Sequence, residues 1–141
     1  MINLLWVEEE QNSLRYERKI VESLGWNLTQ SSTIDDAKTK LMSSNFNLLI
    51  SDLIMPINEF EKERGFVDVN AGINFIEWVR DFNVTKKTPS NVLIVIISAV
   101  ISPETKIKIV DKLVPPEYYL NKPLVEKDYM ELLNTIGSIL S

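Results

Sequence analysis

The feature that most constrains the fold is a short apolar run that ends in an acid. Residues 46–56 read FNLLISDLIMP, and the apolar part, Leu48 to Ile50, is followed at once by Ser51 and Asp52. A run this short, apolar on both faces, is typical of a strand buried in a parallel sheet, because helices cover both faces of such a sheet. Asp52 is therefore predicted at the carboxyl end of a strand, the edge where open α/β sheets bind ligands.

Four further apolar runs are predicted as strands: Ile2–Val7, Trp26–Thr29, Val92–Ile97 and Tyr118–Leu120. Amphipathic segments separate the strands and are predicted as helices. The first is Ser13–Leu24, with Arg18 on its polar side and Gly25 as its C-cap, and the second is capped by Ser32 or Thr33 and ends at Ser43–Asn45. The others are Ile73–Phe82, Ser102–Val114 and a last helix whose apolar face consists of Tyr129, Leu132, Leu133, Ile136 and Leu140. Because strands alternate with helices and most connections are short, the fold class is predicted to be α/β, with a parallel sheet covered on both faces.

One segment interrupts this alternation. Residues 57–70 carry six charged side chains with no sustained periodicity. They are predicted to form a long polar loop, in which a turn of helix is compatible with the sequence. The chain shows no repeat, linker or low-complexity stretch. Residues 1–141 are therefore predicted to form a single domain with an inserted polar loop at about 57–70.

Composition excludes several classes of function. The net charge of -5 argues against direct binding of nucleic acid, because phosphate binding draws its affinity from Lys and Arg. The chain has no cysteine and no histidine, which removes disulfides, thiolate chemistry and the commonest general base. The start has no basic region typical of a signal peptide, and no apolar run is long enough to span a bilayer. A soluble, cytoplasmic protein without membrane contact is expected.

Polar residues end four of the five predicted strands. Glu8 and Glu9 follow the first strand, Asp52 the third, Ser98 the fourth and Lys122 the fifth. Carboxylates without histidine or cysteine suit a hard cation such as Mg²⁺, which takes one or two carboxylates and a phosphate oxygen. A hydroxyl and an ammonium can contact further phosphate oxygens, and a carboxylate can itself be phosphorylated.

These residues carry a family resemblance. The segments LLWVEEE, SDLIMP, VIISA and YYLNKPL occur in the order and with the approximate spacing of the receiver domains of two-component response regulators, which the chain resembles from about Ile2 to Leu140. The resemblance implies a flavodoxin-like (βα)5 three-layer sandwich with the strand order 2-1-3-4-5.

The resemblance also implies a role for each matching residue. Asp52 matches the phosphoacceptor, and Glu8, Glu9, Asp52 and the backbone carbonyl of Ile54 match the ligands of Mg²⁺ or Mn²⁺. The remaining matches are the phosphate-binding and switch residues Ser98, Ala99, Lys122 and Tyr119, and Pro123 as a candidate cis-proline.

By resemblance, the chain is expected to be a phosphoacceptor signalling module that switches the face of its fourth helix, fifth strand and fifth helix, Glu104–Val114 and Tyr129–Leu140. A histidine kinase or phosphotransfer protein would donate the phosphoryl group, and a downstream protein target or effector domain would read the change. A homodimer through the same face is compatible with this. The chain would not be an enzyme beyond assisting its own phosphorylation and dephosphorylation. Since no domain follows Ser141, it is expected to be a single-domain regulator or a piece of a larger protein.

Departures from the family pattern leave alternatives open. Both members of the acidic pair are Glu rather than Asp, so one alternative is a phosphorylation-independent interaction module with weakened metal binding, in which residues 8–10 form a solvated acidic turn. Gly72 matches the family's helix-start glycine, which makes about a dozen preceding residues an insertion, either a lid or partner contact or a tolerated surface loop. Ile54 and Val100 are both apolar, which predicts slow hydrolysis of the phosphoryl group.

Two enzymatic or carrier functions are less compatible with the sequence. Phosphatases with an aspartyl nucleophile generally place a second Asp two residues later, where this chain has Ile54. A flavin or nucleotide carrier would need a phosphate-binding loop after the first strand, and the acidic EEEQNS would repel phosphate.

Overall fold

A five-stranded parallel sheet in the order β2-β1-β3-β4-β5 organises the molecule. The structure is a computed structural model that describes residues 1–10, 12–85, 92–99, 102–104 and 113–141. The strands are β1 (Asn3–Val7), β2 (Asn27–Ser31), β3 (Leu48–Ser51), β4 (Leu93–Ala99) and β5 (Tyr119–Lys122). The predicted fold class and strand order are confirmed.

Helices cover both faces of the sheet. They are α1 (Arg15–Ser23), α2 (Ile34–Ser43), α3 (Glu59–Glu63), α4 (Val69–Thr85) and α5 (Glu126–Leu140), with a 3₁₀ turn at Pro116–Tyr118. Side chains alternate across β1, so that Leu4 and Trp6 pack towards α1 and α5 while Leu5 and Val7 pack towards α2 and α4. The result is two apolar layers, one on each side of the sheet. None of the helices in the described ranges is long and apolar enough to cross a bilayer.

Most element boundaries follow from local chemistry. The Thr33 hydroxyl accepts a hydrogen bond from the Asp36 N–H at 3.2 Å, as expected of an N-cap. Gly25 takes a positive φ of 81° just after α1, the conformation for which a glycine is favoured there. The strand β5 ends at Lys122 rather than at Leu120, so the lysine is its last residue and does not lie just past it. The predicted fourth helix falls largely on residues 105–112, outside the described residues.

The first helix differs from the prediction in two respects. It begins at Arg15 rather than Ser13, because Leu14 adopts a left-handed conformation with φ of 56°. Arg18 was predicted on the polar side, yet it is buried together with Val21. The spacing explains the error: Arg18 is four residues after Leu14 and three before Val21, which places its stem on the inward face.

The segment predicted as a polar loop at 57–70 contains one short helix. Asn58 caps the short helix α3 by accepting a hydrogen bond from the Glu61 N–H at 2.9 Å. Met55 and Asp68 then form an antiparallel bridge, and α4 begins at Val69. A helix of five residues is too short to display a period, which is why the charged sequence resembled a loop.

Candidate functional site

The register of the sheet brings the predicted polar residues to one edge. In the pairing of β1 with β3, Val7 lies opposite Ser51, so Glu8 and Asp52 follow at the same level. In the pairing of β4 with β5, Ala99 lies opposite Lys122. Because all strands are parallel, their carboxyl ends meet, and residues far apart in sequence become neighbours.

Asp52 is held in place by hydrogen bonds of its backbone and of its side-chain atom Oδ1. Its backbone N–H donates to the Val7 carbonyl at 3.0 Å. Its Oδ1 accepts from the backbone N–H groups of Leu53 at 2.6 Å and Ile54 at 3.1 Å, and from the Ser98 hydroxyl at 2.6 Å. The side chain is buried, and these donors fix the direction of its second oxygen, Oδ2.

Lys122 bridges the two acids of the site. Its Nζ lies 2.6 Å from Oδ2 of Asp52 and 2.6 Å from Oε2 of Glu8. Burial by itself lowers the pKa of Lys122, but the hydrogen bonds to Asp52 and Glu8 outweigh it, so the pKa of the ammonium is raised. The lysine therefore remains charged between the two carboxylates.

Glu8 is almost inaccessible to solvent, with 4% of its surface exposed. Burial raises the pKa of its carboxyl, the hydrogen bond from Lys122 offsets part of this rise, and the nearby charge of Asp52 adds to it. Arg18 lies close enough to Glu8 for their charges to interact, and its guanidinium also donates to the Ser13 carbonyl. Sequence reasoning missed Arg18, although its position in the apolar stripe of α1 was the available signal.

The structure does not gather all the predicted metal ligands. Glu9 is half-buried next to Glu8, and within the described ranges no group of three acidic side chains is close enough to hold a metal ion. Ile54 is half-buried and its N–H is committed to Asp52. Glu8 and Asp52 nevertheless both contact the Lys122 ammonium. Two carboxylates that converge in this way are a donor set that Mg²⁺ accepts.

The remaining predicted residues lie around this centre. Tyr119 is directed inward and packs in the apolar layer of α2 and α4. Burial, and then the charge of Asp52, raises the pKa of its hydroxyl. Ala99 is exposed at the end of β4. The peptide bond between Lys122 and Pro123 is cis, the conformation expected there.

Comparisons with known proteins give matches in structure but not in sequence. No protein-family model matches the chain, and no curated protein matches it either. The receiver domain of the Francisella response regulator 1452 superposes with a TM-score of 0.74 at 18% identity, covering 100% of both chains. The receiver domain of NtrC4 from Aquifex aeolicus gives a TM-score of 0.66 at 21% identity, covering 99% of both chains. A beryllofluoride-activated NtrC4 receiver domain dimer gives 0.75 at 19% identity, covering 100% of both chains.

These similarities define the class of fold. The alignments cover the whole of this chain and the whole length of these two receiver domains. At sequence identities of 18–21%, the structural similarity establishes the fold. It therefore confirms, for the fold, the resemblance inferred from the four sequence segments. The chain therefore has the flavodoxin-like fold of response regulator receiver domains.

Proposed function

We propose that this chain is a phosphoacceptor signalling module of a two-component phosphorelay and that Asp52 accepts the phosphoryl group. The observation that carries the proposal is the pairing of Asp52 with Ser98 and Lys122 at 2.6 Å each. The Oδ1 atom accepts three hydrogen bonds, whereas Oδ2 contacts the ammonium end of a long lysine side chain. Oδ2 is therefore the better nucleophile of the two.

The transfer step follows from this geometry. Oδ2 attacks phosphorus, a P–O bond forms, and the bond from phosphorus to the donor's nitrogen or acyl oxygen breaks, with its electron pair leaving on the donor. Lys122 can then pair with one phosphoryl oxygen and the Ser98 hydroxyl with another, because both already point at Asp52. The chain has no histidine, so the donor is another protein, a histidine kinase or phosphotransfer protein, or a small phosphodonor.

A divalent cation, Mg²⁺ or Mn²⁺, would supply charge neutralisation for the phosphoryl oxygens. Glu8 and Asp52, which converge on the Lys122 ammonium, would hold it together with the carbonyl of Ile54. Lys122 now pairs with Glu8 and Asp52 at 2.6 Å, so its ammonium would have to release Glu8 when the cation enters. The chain is proposed to act on no substrate other than its own Asp52, in the cytoplasm.

The proposed output is a change of the surface beside β5. Phosphorylation adds about two negative charges next to Tyr119 and Lys122, which biases the tyrosine between two positions. A cavity of about 190 Å³ lies on this side of the molecule, lined in part by Tyr119, Leu124 and Val125. This surface, with α5, is proposed to bind the downstream target or a second copy of the chain.

One observation favours a second candidate function, a phosphorylation-independent interaction module. Lys122 pairs with both Glu8 and Asp52 at 2.6 Å, and the longer Glu side chains replace the usual Asp, which weakens the fit to Mg²⁺. In this case the fold would present the same surfaces without a phosphoryl switch.

The deciding experiment is incubation with Mg²⁺ and either acetyl phosphate or beryllofluoride. Intact mass spectrometry should detect one added phosphoryl group on the wild type and none on Asp52→Asn. Trp6 is buried and directly precedes Val7 and the acids, so its fluorescence should change with Mg²⁺ and again with beryllofluoride. A wild type that gains no mass and shows no response to Mg²⁺ would leave the interaction module as the function.

A further inference from the structure

The inserted segment exposes an unusual amount of apolar surface. We define it as residues 57–67, which follow Pro56 and end just before Asp68, the residue that pairs with Met55 in the antiparallel bridge. Its Phe60 and Phe66 are 59% and 56% exposed, and its Ile57 and Val67 are each 40% exposed. Four of the ten large apolar side chains that are exposed in the described residues thus fall in eleven positions. Clustered exposed apolar residues of this kind mark interaction sites more often than isolated ones do.

The inserted segment is folded and anchored. The Phe66 N–H donates to the Glu61 carbonyl at 2.8 Å, which turns the end of the segment back on α3. The Asp35 N–H donates to the Ile57 carbonyl at 2.8 Å, and Lys62 Nζ donates to the Ser32 hydroxyl at 2.8 Å. The backbone that carries the aromatic side chains is therefore held in place before any partner arrives, which lowers the entropic cost of binding.

The charge around the aromatic residues is acidic. Glu59, Glu61 and Glu63 make no salt bridge within the described part of the chain. The segment also carries two cations, each with a partner: Lys62 donates to the Ser32 hydroxyl, and the Arg64 guanidinium lies over the Phe60 ring, 3.5 Å from its centre, and donates to the Phe60 carbonyl. The three glutamates therefore leave the segment with a surplus of negative charge. An occupant with basic side chains is therefore favoured. A second copy is disfavoured, because it would bring the same acids and a net charge of -5.

We propose that the inserted segment is a docking surface for a partner protein segment that combines apolar and basic side chains. Phe60 and Phe66 anchor the apolar side chains, and the three glutamates pair with the basic ones. The surface begins five residues after Asp52 in the sequence. Docking itself requires neither phosphate nor metal, and it stands or falls independently of the proposed function.

The test is a titration of the ¹⁵N-labelled protein with two synthetic helical peptides, one of leucine and lysine and one of leucine and glutamate, without phosphodonor. The leucine–lysine peptide should shift the amide signals of residues 57–68, and the other peptide should not. The double variant Phe60→Ser with Phe66→Ser should weaken binding at least about tenfold. The matched control is Met42→Ser, because Met42 is 62% exposed on α2 outside the segment and its loss should leave binding unchanged.

A charge-reversed variant gives a second readout that does not depend on the aromatic residues. Glu59→Lys with Glu63→Lys should weaken the leucine–lysine peptide and strengthen the leucine–glutamate peptide. Equal binding of both peptides, shifts centred elsewhere, or full affinity in the serine double variant would overturn the proposal. Sedimentation that detects self-association of the wild type, lost in the serine variant, would overturn it too, because the occupant would then be a second copy.

Discussion

Replacing Gly72 by alanine would place a methyl group where α4 has no room for one. A Cβ built at this position lies 1.8 Å from the Leu53 carbonyl oxygen and 2.5 Å from the Leu53 Cα. Carbon atoms pack at about 3.5–4.0 Å, so α4 or the backbone after Asp52 would have to move by about 1.5 Å. The sequence predicted Gly72 at the start of a helix. In the structure Gly72 lies in the first turn of α4, where its backbone approaches the backbone of Leu53.

The expected cost follows from two opposing effects. Overpacking of this kind costs about 1–3 kcal/mol, and more where the neighbour is backbone that cannot rotate away. Alanine gains up to about 1 kcal/mol over glycine inside a helix, which offsets part of this. We expect a net loss of about 2 kcal/mol in the free energy of unfolding, a large share of the roughly 5–15 kcal/mol that is usual for a domain.

Urea denaturation followed by circular dichroism measures this loss, and Gly137→Ala is the matched control. At Gly137, in α5, the nearest atom to a new Cβ is Trp26 Cζ2 at 3.8 Å, an ordinary contact. The control should therefore gain about 0.5–1 kcal/mol. Since Leu53 N–H binds Asp52, Gly72→Ala should also slow phosphorylation by acetyl phosphate. A Gly72→Ala protein as stable as the wild type would refute the reasoning.

Three further outcomes are expected. Lys122→Met leaves two buried carboxylates without the ammonium that pairs with them, so it should lower the free energy of unfolding by about 3 kcal/mol, and Mg²⁺ should restore part of this loss. The control is Lys127→Met: the Lys127 side chain is 82% exposed, so this variant should change stability by less than about 0.5 kcal/mol in the same denaturation assay. The pKa of Glu8 is raised above 4.5 in the folded protein, so the stability of the wild type relative to Glu8→Gln should increase as the pH falls from about 7 towards 4.5. A wild type that loses stability relative to Glu8→Gln on acidification would contradict this expectation. Ile54 offers no polar side chain to orient a water, so the label on phosphorylated Asp52 should persist for minutes or longer, and its loss within seconds would count against the expectation.

The strands could be predicted because a parallel sheet buried on both faces leaves a direct signature in the sequence. Leu48 to Ile50 and Val92 to Ile97 are apolar without alternation, and a short run of this kind rarely forms anything but a buried strand. The positions of Glu8, Asp52 and Ser98 at one edge follow from the same fact, since the carboxyl ends of parallel strands coincide. These parts of the site needed no side-chain geometry.

Other features depend on distances that no pattern encodes. The bridging position of Lys122 between Glu8 and Asp52 is set by side-chain rotamers, and the three donors on Oδ1 of Asp52 are set largely by the turn at Leu53. Likewise, helix α3 is shorter than two periods of its own repeat, so the exposed Phe60 could not be distinguished from a loop residue.

The bridge between Met55 and Asp68 has a consequence for how such a chain can vary. Residues paired across an antiparallel bridge lie only about 4.5–5.5 Å apart, so the twelve residues between them leave and re-enter the domain at nearly one point. A two-residue turn could span that gap, and the stretch could then be excised, lengthened or grafted onto a relative without altering the register of any strand. New partner recognition could thus be acquired in this stretch while the contacts of Asp52 with Ser98 and Lys122 stay unchanged.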